Sequence, residues 1–225
     1  MSGRKKEGLG FSPQLKPRWA LTYNEQEIHL DIKNALKSLL EIYRRFEEMA
    51  EPYSRFAVCG PGCADCCTTV GDIDITTLEG LNIIGQLQRF DAVRQKTFQK
   101  ALKENARLKA SSKLVRCPFL LKDDRCGIYP ARPFSCRRVY SVSTCGQHGP
   151  TVNRHLWELA DGTVKAIQEL DHTGYSGHLT FIIQLLKDAR FRKTYASGGF
   201  SPEEISSFAR QHRLIINRFH KASIG

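Results

Sequence analysis

No stretch of this 225-residue chain approaches the roughly 18 consecutive apolar residues that a membrane-spanning helix requires. The first residues, Met1-Ser-Gly-Arg-Lys-Lys-Glu, lead into no apolar run of signal-peptide length, and Ser2 stands where N-myristoylation needs glycine. These absences set the expectation of a cytoplasmic protein that does not touch a membrane. There is no βαβ alternation, no internal repeat and no Gly-rich strand-to-helix turn to hold a nucleotide; Gly8-Leu-Gly10 sits in the tail, away from any such turn. No Ser/His/Asp order or nucleophile elbow is present either.

Acidic residues are in deficit, 23 against 34 Lys and Arg, which leaves a formal charge of +11. Part of the excess lies before Trp19, and part runs through Arg94, Lys96, Lys100, Lys103, Arg107, Lys109, Lys113 and Arg116. The balance permits a nucleic acid or an acidic protein as partner. A solvated helix face plus a disordered arm is the simpler account.

Cysteine, by contrast, is plentiful. Four fall in nine residues, Cys59-Gly-Pro-Gly-Cys63-Ala-Asp-Cys66-Cys67, and four more follow at Cys117, Cys126, Cys136 and Cys145. In a reducing compartment such clustering favours metal ligation over disulfides. All eight are candidate ligands. Cys59 and Cys63 can converge from one turn and Cys66 can add a third sulfur, whereas adjacent Cys67 faces elsewhere or supports another site. Gly60 and Gly62 allow backbone amides to point at sulfur. Thiolate sites suit both zinc and iron–sulfur clusters, and ligand type alone does not separate them.

The rest of the chain reads as mainly α, a helical bundle framing an irregular cysteine-rich metal site with a short β-hairpin. Residues 1–20 read as a disordered basic tail, and 21–225 as a single helical domain with its cysteine core at about 59–145. Thr22-x-x-Glu25 resembles a capping box, and Ile28, Ile32, Leu36, Leu39, Tyr43 and Phe46 then mark a helix of about seven turns ending before Pro52. Ile73 and Ile75 mark a short strand, and Thr76-x-x-Glu79 a second capping box. A helix over 91–110 would bury Val93, Phe98, Leu102 and Leu108. The Lys-Asp-Asp-Arg turn between Cys117 and Cys126 reads as a β-hairpin with a cysteine on each arm. Helices near 155–170, 177–193 and 202–219 close the chain, the last with Ser201 as N-cap, Pro202 at its first position and Arg213, Arg218 and Lys221 at its C-terminal end.

Cys59-x3-Cys63-x2-Cys66-Cys67, then Cys117-Pro-Phe-Leu, Cys126-x-Ile-Tyr and Arg132-Pro-x-x-Cys136-Arg, resemble the YkgJ-type cysteine-cluster family, labelled zinc- or iron-chelating. The resemblance covers about 59–140 and implies that Cys59, Cys63, Cys66, Cys67, Cys117, Cys126 and Cys136 are the family cysteines, with Cys145 outside the matched core. It implies an iron–sulfur cluster of the 4Fe-4S type, with zinc as the alternative, since the family's flagellin lysine methylase branch uses such a cluster in methyl transfer. Methyl transfer to protein lysines is accordingly one candidate activity; a structural zinc module, a nucleic-acid-binding protein and an electron carrier are the others.

Among the remaining residues, Arg132 and Arg137 either offset an anionic cluster or clamp carbonyls and a carboxylate structurally. Tyr129 reads as a packing residue, Asp65 as a turn former and His148 as an exposed loop residue three positions after Cys145. His155, His172 and His178 show no partner in sequence.

Overall fold

The computed structural model describes residues 30–218, apart from 61, 70–71, 112–113 and 147–148. The expected tail at 1–20, the Thr22 capping box, Ile28, His148 and Lys221 lie outside the described residues. Among those described, nine α-helices surround a three-stranded antiparallel sheet of order β1-β2-β3.

Helix α1 (Leu30–Ser54) presents Ile32, Leu39, Tyr43, Phe46 and Ala50 as one buried stripe. Its main partner is α6 (Arg154–Leu170), which contributes Leu156, Ala160 and Ile167 to the same cluster. Fully burying a side chain of this kind gives about 1.5–3 kcal/mol, so the shared stripe fixes α1 against α6. Contrary to the sequence expectation, α1 continues two residues past Pro52. The loss is small there, because proline in the last turn removes one intrahelical bond and leaves the turns before it intact.

A second core forms around α3 (Thr77–Gln88), α4 (Ala92–Lys109) and α7 (Leu179–Leu185). Strand β1 (Asp74–Thr76) leads directly into α3, and the capping box read from Thr76 and Glu79 is present with both reciprocal bonds. Glu79 does more than cap. It is buried and also accepts from Tyr43 Oη (2.7 Å) on α1 and from the Phe134 amide (2.7 Å). One carboxylate thus joins three elements. The α4 expectation holds for Phe98 and Leu102, but Val93 is 77% exposed and Leu108 lies on the surface. Both face away from the side on which Phe98 meets Phe90 and Phe119.

The expected helix over 177–193 is broken. Tyr175–His178 form β2, which pairs with β1 through Ile75 opposite Gly177, and α7 begins only after His178 caps it. Asp188 then caps a separate α8 (Ala189–Ala196), accepting from the Phe191 amide at 2.8 Å. Helix α9 (Pro202–His212) ends where Arg213 takes a left-handed φ of 55°, which frees Ile215–Ile216 to pair with β2 as β3. Pro202 opens α9 as expected, but the Ser201 side chain makes no capping bond, and Arg213 and Arg218 lie beyond the helix. A hydrogen-bonding edge at β2 overrides helical periodicity in both cases.

Candidate metal centre

The cysteines lie on segments fastened to this body at short intervals. After α1 the chain turns back, and the Val58 amide donates to the Ser141 carbonyl (2.8 Å). The Cys63 amide closes a turn onto the Gly60 carbonyl (3.0 Å), with Gly62 at φ +85°, a left-handed angle that glycine adopts without steric cost. A five-residue helix, α2 (Asp65–Thr69), then carries Cys66 and Cys67 side by side. The Cys67 carbonyl accepts from the Cys117 amide at 2.8 Å, so the segment after α4 lies along α2.

From Cys117 the chain makes the expected hairpin in reduced form. Its ladder consists of the Leu120–Cys126 bridge, the Leu121 amide to Arg125 carbonyl bond (2.9 Å) and the Gly127 amide to Phe119 carbonyl bond (2.8 Å). Cys126 sits on this ladder, whereas Cys117 precedes it. A Cβ at Gly127 would run into the Phe98 ring, so only glycine lets α4 close over the hairpin. A 3-10 turn at Tyr129–Ala131 follows, then Pro133 starts the single-turn helix α5 (Phe134–Arg137), which holds Cys136. Ser135 Oγ donates to the Asp74 carbonyl and ties α5 to β1.

The eight sulfurs are free thiols and fall into two groups. In the first, Cys66, Cys67 and Cys117 form a hydrogen-bonded chain. The bond to Cys67, followed by burial, holds the Cys66 thiol far above its usual range. The bond to Cys117 pushes Cys67 up to about 12, against the opposing bond from Cys66. Burial raises Cys136, with charge at Cys67, Cys66 and Cys126 adding to it, and burial raises Cys126 as well. The Arg132 guanidinium works in the opposite direction on both. Five soft donors are therefore held half-buried, and burial with neighbouring sulfurs disfavours ionisation of Cys66, Cys67 and Cys136. A bound cation relieves that conflict, since it replaces the protons and supplies the missing positive charge.

The second group is Cys59, Cys63 and Cys145. Burial raises the Cys145 thiol first, and the charges of Asp65, Cys59 and Cys63 raise it further, while a bond from Ser141 lowers it. The Ser141 amide also donates to Cys59 Sγ at 3.3 Å. The segment of Cys117 thus lies along α2 beside Cys66 and Cys67, and Cys59 is held by the Ser141 amide. Among the described residues, no three His, Cys, Asp or Glu side chains converge closely enough to hold an ion as they stand. The donor set nevertheless fits a thiophilic metal, since soft thiolates select zinc, cuprous copper or iron–sulfur centres.

The two arginines divide their roles. Arg137 is a structural clamp: Nε donates to the Arg132 carbonyl (2.9 Å), Nη2 to the Pro130 carbonyl (3.1 Å) and Nη1 to Glu47 (2.6 Å), with the guanidinium 4.4 Å over the Tyr43 ring. Arg132 is the cation that faces Cys126 and Cys136. Tyr129 is 58% exposed rather than packed, its ring lying 4.3 Å under Arg132. Asp65 opens α2, where its carbonyl accepts from Thr68 Oγ1 (3.0 Å). His155 is exposed beside Tyr53, and buried His178 caps α7 through Nδ1 (3.4 Å to the Thr180 amide). Ser141 and Glu47 carry no signal in sequence, since each acts only across the fold.

Fold and site together define a helical cysteine-cluster protein. Residues 58–161, a little under half of the chain, match the family described as "CxxCxxCC: Putative zinc- or iron-chelating domain". The match takes in all eight cysteines, Cys145 included. Comparison with curated proteins and with solved structures gave no match. Among the described residues no helix is long and apolar enough to cross a membrane.

Proposed function

We propose that Cys66, Cys67, Cys117, Cys126 and Cys136 hold an iron–sulfur cluster of the 4Fe-4S type, so that the protein is a metal-binding protein built around that centre. The observation that carries this reading is the meeting of five thiols from four separate segments beside one cation, Arg132. Such a cluster needs four thiolates, and the group supplies four with one to spare. A cluster of this kind supplies one-electron chemistry or an anchor for a substrate at an exposed iron; the chain's residues set its charge and solvent access. Arg132 offsets negative charge, and the ring of Phe119 with the turn at Ile128 closes the inner side. Zinc in the same thiols is the second reading, supported by the family description.

The basic run from Arg94 to Arg116 gives little support to a nucleic-acid role. Arg94 lies 4.0 Å over Phe90, Arg107 pairs with Glu104, Lys109 with Asp72 and Arg116 with Asp124. Anaerobic purification followed by iron, sulfide and zinc analysis, with an absorption spectrum, tests the proposal. Iron and sulfide in equal amounts with a broad band near 400 nm are the expected result (on the order of four of each per chain). A folded protein free of metal under those conditions overturns it.

A further inference from the structure

We infer that Glu79, outside the cysteine pattern, is a positioning residue of the metal centre: it locks α5 so that Cys136 stands as the fixed ligand onto which the other cysteine segments close. The inference rests on the reading of Cys136 as a metal ligand. Its first ground is the start of α5. The first amides of a helix lack partners within it, and Pro133 at the N-cap offers no side-chain oxygen to replace them. The Phe134 amide donates instead to Glu79 Oε1 on α3 (2.7 Å), a residue only 3% exposed. That same oxygen accepts from Tyr43 Oη on α1 (2.7 Å), and Oε2 accepts from the Thr76 amide (2.8 Å). A buried acceptor shared by three donors has one place to stand, because moving it would leave each of them unpaired.

The second ground is that α5 is fastened at its three other residues. Phe134 sets its ring edge-on to Phe46 of α1, with 4.7 Å between centroids. Ser135 Oγ donates to the Asp74 carbonyl of β1. Arg137 spreads its guanidinium over the Arg132 and Pro130 carbonyls and Glu47 of α1. The Cys136 amide closes the turn onto the Pro133 carbonyl (3.0 Å), so the thiol is carried on a rigid pedestal. Helix α2, by contrast, leans on another ligand-bearing segment, its Cys67 carbonyl accepting from the Cys117 amide (2.8 Å). A ligand fixed by outer-shell contacts before the ion arrives raises affinity, since its ordering cost is met during folding.

The test uses the full-length chain, freed of metal under anaerobic reducing conditions and titrated with cobalt(II) alone. Glu79→Ala is expected to weaken cobalt binding about tenfold or more, the usual effect of losing a partner that orients a ligand. Glu79→Gln, which keeps an oxygen for Phe134 and Tyr43, should recover most of the affinity. Ile205→Ala is the control: it opens a cavity under α9 and lowers stability, removes no bond to α5, and should leave the affinity unchanged. Ser135→Ala removes only the tie to Asp74, should weaken binding in the same direction, and serves if Glu79→Ala fails to fold. Unchanged affinity in the variant that folds, or an equal loss in Ile205→Ala, overturns the proposal. A wild type that takes up no cobalt would instead sink the reading of Cys136 as a ligand. The lock on α5 is then read by hydrogen exchange: the amides of 134–137 should exchange faster in Glu79→Ala than in Ile205→Ala, and equal rates overturn it.

Discussion

At the scale of single residues, Arg132 and Arg137 show how identical side chains five positions apart take unrelated tasks. Arg137 spends its donors on two carbonyls and Glu47, a fork that the point charge of lysine cannot reproduce. Arg137→Lys is expected to cost on the order of 2 kcal/mol in chemical denaturation, with the Tyr129–Cys136 segment loosened. Arg132 contributes its field instead. It partly offsets the burial that raises the thiols of Cys126 and Cys136, so removing it should leave them still harder to ionise. Arg132→Gln is expected to keep stability within about 1 kcal/mol of wild type. It should also slow alkylation of Cys126 in the metal-free protein and weaken metal binding. Equal alkylation rates in the two proteins would refute the electrostatic role. The sequence placed both arginines beside Cys136 but left their roles open, because both reach Glu47 on a helix about 90 positions away (3.7 Å from Arg132, 2.6 Å from Arg137) and only Arg137 also seats over Tyr43.

At the scale of elements, the parts legible in the sequence were those governed by local chemistry. The Thr76–Glu79 capping box, the stripe on α1 and the start of α9 at Pro202 each depend on residues within one or two turns. The breaks at His178 and Arg213 were not legible, because they answer to strand pairing with β1 and β2. Asp171 is the joint where these long-range choices meet. It ends α6, and its carboxylate accepts from the Leu78 amide of α3 (3.0 Å), Tyr195 Oη of α8 and Asn217 Nδ2 after β3 (3.2 Å). Burial pushes its carboxyl up from 3.8 to about 7 despite those donors. The folded state therefore holds a proton there that the unfolded state releases, so this contribution to stability is complete below about pH 4 and is lost as pH rises through about 7. The upper bound on the effect is on the order of 4 kcal/mol. In urea denaturation, the advantage of wild type over Asp171→Asn should shrink from pH 4 to pH 7 and then level off. An advantage that is flat over that range, or grows, would contradict the assignment.

At the scale of the whole molecule, the metal-binding segments and the core are distinct in origin. The sequence identified all eight cysteines as candidate ligands and left open how many sites they form. It could not show which segments meet, because the Ser141 contact with Cys59 and the Cys117 contact with α2 form only across the fold. Both apolar clusters consist mainly of residues outside the cysteine loops: Leu39, Phe46, Leu156 and Ile167 in one, Ile83, Leu102, Ile182 and Leu186 in the other. A chain of this size buries enough apolar surface to fold on it, unlike a short zinc finger that unfolds without its ion. Metal adds stability through its preference for the folded state, by RT ln(1 + [L]/Kd). It should act mainly on segments that have few other fastenings. Treatment with a strong chelator under reducing conditions is therefore expected to lower Tm by several degrees while far-UV circular dichroism keeps most of its helical signal. In the same sample, limited proteolysis should cut first within 57–72 and 110–126, where Cys59, Cys63, Cys66, Cys67, Cys117 and Cys126 lie, and leave α1, α3, α6 and α7 intact. Loss of most helical signal on chelation would mean that the ions organise the core itself and would overturn this division of labour.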